Sequence, residues 1–150
     1  MQARLLGQPG LATSGRAGHL RRMPFVRIEL RKGRTAQQRR AISDAVHSAM
    51  VEAIKVPPLD RFQVITEHEA EGFVYDPTYL DIQRTDGLVI IQITLNAGRT
   101  IEARQDLYKS IADKLEKLEI RRQDVMINLV ETQKENWSFG NGIAQYAAPK

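Results

Sequence analysis

A proline, an aspartate and an arginine in this chain have the types needed to handle protons and carboxylates. Met23-Pro24 opens the β-like run Pro24-Phe25-Val26-Arg27-Ile28-Glu29-Leu30, which reads like the start of a protein. A chain beginning at Pro24 carries a free secondary amine, and an α-amino group titrates at about 7.7–8.0 before its surroundings act on it. Inside the full sequence the same nitrogen is an imide with no basicity. Asp60, in Pro57-Pro58-Leu59-Asp60-Arg61, supplies a carboxylate, and Arg99, in Asn96-Ala97-Gly98-Arg99, a guanidinium. A guanidinium grips a carboxylate in bidentate fashion, while an amine and a carboxylate exchange protons at a neighbouring carbon or oxygen. The trio suits a small substrate that bears both a carboxylate and a carbonyl.

An internal repeat supplies the elements that must bring these groups together. Gly33-Arg34-Thr35 and Gly98-Arg99-Thr100 recur 65 residues apart, each after a β-rich run and before an amphipathic helical stretch. Ile42, Val46, Ala49, Met50 and Ala53 share one helical face, and Leu107, Ile111, Leu115 and Leu118 share the other's. Thr35 with Gln38 spells a capping box, and Thr100 an N-cap with Glu102 in the first turn. Strands follow at Phe62–Glu67 and Val125–Glu131. Residues 24–67 and 88–131 are therefore two β-α-β halves, with a tail over 132–150. Each half makes a parallel strand pair. Joined, they predict an α+β fold with a four-stranded mixed sheet and two helices on one face. The bare face calls for an oligomer. The nearly continuous apolar run Leu88–Leu95 reads as a central strand, covered on both faces or at an interface. Residues 68–87 form a long polar link, read as a lid or a subunit contact.

Both strands of a parallel β-α-β unit start at one edge of the sheet, so Pro24 and Asp60 lie close. An approximate twofold axis between the halves makes the third strand antiparallel and delivers Asn96 to Arg99 to that edge. Each of these residues also has a plain structural reading. Gly-Arg-Thr serves as strand-to-helix punctuation in both halves, and Asp60 ends a turn or pairs with Arg61, as its mate Asp124 suggests. Trp137, Phe139 and Tyr146 read as packing residues, Gly140-Asn141-Gly142 as a turn, and His47 as a packed or surface histidine.

Composition narrows the function classes. The chain has 150 residues, enough for one domain with a real core. Its formal charge of +4 sits in residues 1–22, which hold Arg4, Arg16, Arg21 and Arg22 and no acid. The remaining 18 basic residues match the 18 acidic ones, so the body lacks the uncompensated positive charge that nucleic-acid binding needs. There is no cysteine, and His19, His47 and His68 make no metal-site spacing. No apolar run reaches the roughly 18 residues of a membrane span. Residues 1–23 read as a disordered leader, either upstream of the true start or cleaved off.

Met23-Pro24 ahead of the β-α-β repeat, together with Val56-Pro57-Pro58-Leu59-Asp60-Arg61-Phe62-Gln63 and Asn136-Trp137-Ser138-Phe139-Gly140-Asn141-Gly142, resembles the tautomerase superfamily. The resemblance is to its fused two-repeat members of the malonate semialdehyde decarboxylase type and covers residues 24–150. It implies that Pro24 is a catalytic amino-terminal proline and Asp60 its carboxylate partner. Arg99 and Asn96 then stand at the substrate carboxylate, with Trp137, Phe139 and Tyr146 as the apolar wall. It further implies a cytoplasmic homotrimer that uses neither metal nor organic cofactor, and a keto–enol tautomerase, decarboxylase or hydratase activity. Those decarboxylases carry two arginines at the end of the third strand; this chain keeps only Arg99.

Overall fold

Strand β1 (Phe25–Arg31) leads through Gly33-Arg34-Thr35 into α1 (Ala36–Ile54), which returns the chain to β2 (Phe62–His68). The second half repeats this with β3 (Val89–Asn96), α2 (Ile101–Glu116) and β4 (Val125–Thr132). The structure is a computed structural model and describes residues 23–147. The leader over residues 1–22 lies outside the described residues. Gly33 and Gly98 turn at positive φ (135° and 121°), a conformation that strains a side chain. Thr35 and Thr100 then cap the helices, their hydroxyls accepting from the Gln38 and Ala103 amides at 3.1 Å. Gln38 completes the capping box on Thr35.

The sheet order is β2-β1-β3-β4. β1 pairs with β2 and β3 with β4 in parallel, while the two halves meet antiparallel along β1 and β3. This is the expected four-stranded mixed sheet, with both helices on one face. Val26, Ile28 and Leu30 of β1 and Val89, Ile91, Ile93 and Leu95 of β3 point to that face. They pack against Ile42, Val46, Ala49 and Met50 of α1 and Leu107, Ile111 and Leu115 of α2. Each such buried Val, Leu, Ile or Met side chain contributes about 1.5–3 kcal/mol. Leu118 departs from its predicted face. It lies beyond the end of α2, in the turn that follows, and is exposed.

No α-helix among the described residues packs on the other face of the sheet, which the tail touches at Phe62, its ring centroid 6.5 Å from that of Phe139. There Phe62 and Val64 of β2 and Met126 and Val130 of β4 are exposed, and Ile90 and Thr94 half-buried. The long apolar run of β3 is thus covered by helices on one side only. The 68–87 link contains two one-turn 3-10 helices and is tied down rather than loose. Arg31 donates to the Phe73 carbonyl at 3.2 Å and pairs with Asp86 at 3.0 Å, and Phe73 is buried. The link runs from the end of β2 to the start of β3, which sits opposite Leu30. It therefore occupies the edge away from Pro24, about 20 Å along the strands, and is not a lid over the proline.

Candidate active site

The edge where β1 begins gathers the predicted groups. Phe25 is paired with Phe62 on one side and with Thr94 on the other. Pro24, one residue earlier and buried, thus lies between the Asp60-Arg61 step and the end of β3. Asp60 is 6% exposed, and its amide donates to the Pro57 carbonyl at 2.9 Å, closing the turn that enters β2. Arg61 does not neutralise it. That guanidinium donates to Asp44 (2.6 Å), Ser43 (2.7 Å) and Gln63 (2.8 Å). Arg99 folds back over the strand end, donating to the Asn96 carbonyl at 3.0 Å.

The tail builds a wall over this edge. The Trp137 indole N–H donates to both the Asn96 side-chain oxygen (2.8 Å) and the Thr132 hydroxyl (2.9 Å). Phe139 stacks on Trp137 with centroids 5.4 Å apart and planes 8° from parallel. Tyr146 packs on Phe139 at 4.8 Å. Burial pushes the Tyr146 phenol above its ordinary value, and the Asp60 charge pushes it further, which ties the wall electrostatically to the carboxylate. Gln145 holds the tail's bend by accepting from the Phe139 amide and donating to the Gly140 carbonyl. A cavity of about 260 Å³ opens beneath the wall, lined by Phe25, Phe62, Trp137, Ser138 and Phe139.

Both the sequence and the fold that carry this edge match known proteins. Two family models, both described as tautomerase enzyme, match residues 24–81 and 60–140. The chain is also 48% identical over 124 residues to Probable tautomerase YusQ of Bacillus subtilis strain 168, spanning 82% of this chain and 98% of that one. The chain belongs to the tautomerase family. Among solved structures it is similar to FG41 malonate semialdehyde decarboxylase inhibited by 3-bromopropiolate (41% identity, TM-score 0.77, 81% of this chain and 93% of that one). A second malonate semialdehyde decarboxylase, described with decarboxylase and hydratase activities, is 33% identical (TM-score 0.76, 81% and 95%). A fused 4-OT solved as a symmetric trimer shares the fold at 20% identity (TM-score 0.67, 79% and 94%). The protein is thus a tautomerase-superfamily enzyme of the two-repeat, isomerase type.

The second half of the repeat shows what the same positions do away from this edge. Asp124, the mate of Asp60, ends the same turn, its amide donating to the Arg121 carbonyl at 2.9 Å. Its carboxylate accepts from the Thr85 amide (2.7 Å) and hydroxyl (2.5 Å), so it anchors the link. Arg34, the mate of Arg99, donates to the Gly87 carbonyl at 2.8 Å; burial lowers its pKa while the Asp124 charge opposes that. Arg39 and Arg104 hold the carbonyls of Arg34 and Arg99 and pair with Glu67 and Glu131. Gly-Arg-Thr is therefore punctuation in both halves, with an arginine side chain aimed at each sheet edge. The sequence reading missed Phe25 and Phe62 as cavity walls. Their signal was period-two alternation, which puts both first residues on the helix-free face. It also missed that the Asn96 amide oxygen holds Trp137 in place.

Proposed function

We propose that the chain, once it begins at Pro24, is a cofactor-independent tautomerase that moves a proton on a small keto or enol acid. The observation that supports this reading is the register, which starts β1 opposite Phe62 and Thr94, so that Pro24 falls next to the Asp60-Arg61 step at the sheet edge where Trp137 bonds Asn96. The match of one family model from residue 24 onward supports the same starting point. In the reaction Pro24 accepts the enol hydroxyl proton and returns one to the adjacent carbon, giving the 2-oxo acid. Arg99, with Asn96, meets the substrate carboxylate, and Trp137, Phe139 and Tyr146 exclude water from the apolar side. Asp60 raises the amine's pKa, whereas burial and Arg99 lower it.

A second reading is favoured by the similarity to malonate semialdehyde decarboxylases. With Asp60 dominant, the amine stays cationic and polarises a carbonyl, as decarboxylation or hydration requires. A nitrogen-15 NMR titration of Pro24 separates the two, since a pKa well above neutrality rules out the general base. Both readings require the 22 preceding residues and Met23 to be absent, because an acylated nitrogen takes no proton. The mass of the protein from its native source is expected to match a chain starting at Pro24. A full-length mass would leave the amine mechanism untenable and point to a non-enzymatic oligomeric module. Trimeric assembly and a cytoplasmic location belong to the same proposal.

Incubation with 3-bromopropiolate followed by peptide mapping tests the nucleophile. A nucleophilic secondary amine adds to an activated alkyne, so the added mass belongs on the peptide that starts with Pro24. Labelling elsewhere, with Pro24 unmodified, contradicts the assignment.

A further inference from the structure

His47 sits on the buried face of α1, and its Nε2 lies 2.7 Å from the Pro58 carbonyl. A carbonyl only accepts, so Nε2 carries the hydrogen; Nδ1 is buried with no hydrogen-bond partner among the described residues. Pro58 is two residues before Asp60, inside the turn closed by the Asp60 amide and the Pro57 carbonyl. On the other side of Asp60, the same helix face holds Arg61 and Gln63. Ser43 and Asp44 accept from Arg61 at 2.7 and 2.6 Å. Gln63 accepts from the Ser43 hydroxyl and donates to the Ser43 carbonyl at 3.1 Å. One turn of α1 thus grips the chain on both sides of the aspartate.

The second half shows that the fold does not need this grip. The Thr35 and Thr100 caps align Ser43, Asp44 and His47 with Tyr108, Lys109 and Ala112. The two turns align Pro58, Arg61 and Gln63 with Arg122, Val125 and Ile127. Those six second-half residues do not bind one another. They line an open cleft of about 380 Å³ between α2 and β4. Their aspartate, Asp124, is held by Thr85 instead. Only the half with a carboxylate beside Pro24 fills this space with a polar brace.

We infer that His47 is a positioning residue that, with the Ser43–Arg61–Gln63 network, fixes the Asp60 carboxylate beside Pro24. The inference rests on the proposed role of Asp60, but its first readout needs no turnover. The Pro24 amine's titration reports the Asp60 field whatever reaction the site performs.

The test uses the protein beginning at Pro24, with His47→Gln keeping a donor and His47→Leu and His47→Met removing it. In the donorless variants the Pro24 pKa is expected to fall by about half a unit or more. Their kcat should drop about tenfold to a hundredfold, the scale of a misplaced catalytic group, with KM within about threefold. His47→Gln should restore both readouts to near wild type, and Ala112→Leu, at the mate position, should change neither. Donorless variants that fold and keep the wild-type Pro24 pKa overturn the inference. So does Ala112→Leu if it reproduces their effect, since the brace would then be generic packing. If the pKa shifts as expected while Pro24→Ala remains fully active, the proposed function falls and the brace stands.

Discussion

Trp137 divides one indole N–H between Asn96 and Thr132, and this fixes the ring on which Phe139 stacks. Removing the N–H in Trp137→Phe should lower stability by about 1 kcal/mol, the net worth of a buried hydrogen bond. It should also raise KM more than it lowers kcat, because the wall moves while the amine does not; urea unfolding and steady-state kinetics check the two parts. Tyr146 gives a second reading of the same corner. Its phenol pKa is raised from the ordinary value of 10.0 by burial and then by Asp60, so the folded state favours the neutral form. That stabilisation is in place through neutral pH and is lost as pH rises through the raised pKa. Asp60→Asn removes the charge contribution, so the Tyr146 titration should move down while remaining above 10, as followed by phenolate absorbance. No change in midpoint would place the carboxylate away from the ring.

The helices are held by caps that differ in quality. Thr35 makes a full capping box with Gln38. Thr35→Ala should therefore cost about 1 kcal/mol by thermal or urea unfolding. At the other end of α1, Lys55 stands in the left-handed region (φ 59°). Lys55→Gly should gain up to about 1 kcal/mol, since only glycine adopts that conformation without strain. Both elements were readable because capping residues and period-3.6 apolar faces are local signals. The β-α-β halves and the meeting of Pro24, Asp60 and Arg99 at one edge were readable for a further reason. Parallel strands start together, and an approximate twofold axis reverses the third. The brace on Asp60 was not readable. His47 and Pro58 meet only after the helix has packed on the sheet, and a lone histidine on an apolar face carries no spacing signal. Nor was the placement of the 68–87 link, which depends on Arg31 of β1 and Asp124, in the turn before β4, both reaching it.

The molecule as a whole presents one finished face and one unfinished face. Helices close one side of the sheet, while Val64, Met126 and Val130 stand exposed on the other. In the proposed trimer that face is buried. Val64→Lys with Met126→Lys should convert a species of three chains into monomers in sedimentation experiments, because buried like charges are costly; an unchanged mass would place the interface elsewhere. No helix among the described residues is long and apolar enough to cross a membrane. In the proposed reaction the amine of Pro24 performs the chemistry. The rate of phenylenolpyruvate ketonisation, compared between the protein that begins at Pro24 and its Pro24→Ala variant, reads that role of the amine. General acid–base catalysis by a positioned group is worth about 10²–10⁴-fold, and a loss of that size is predicted for the variant. Equal rates for the two proteins would mean that the Pro24 amine does not carry the reaction.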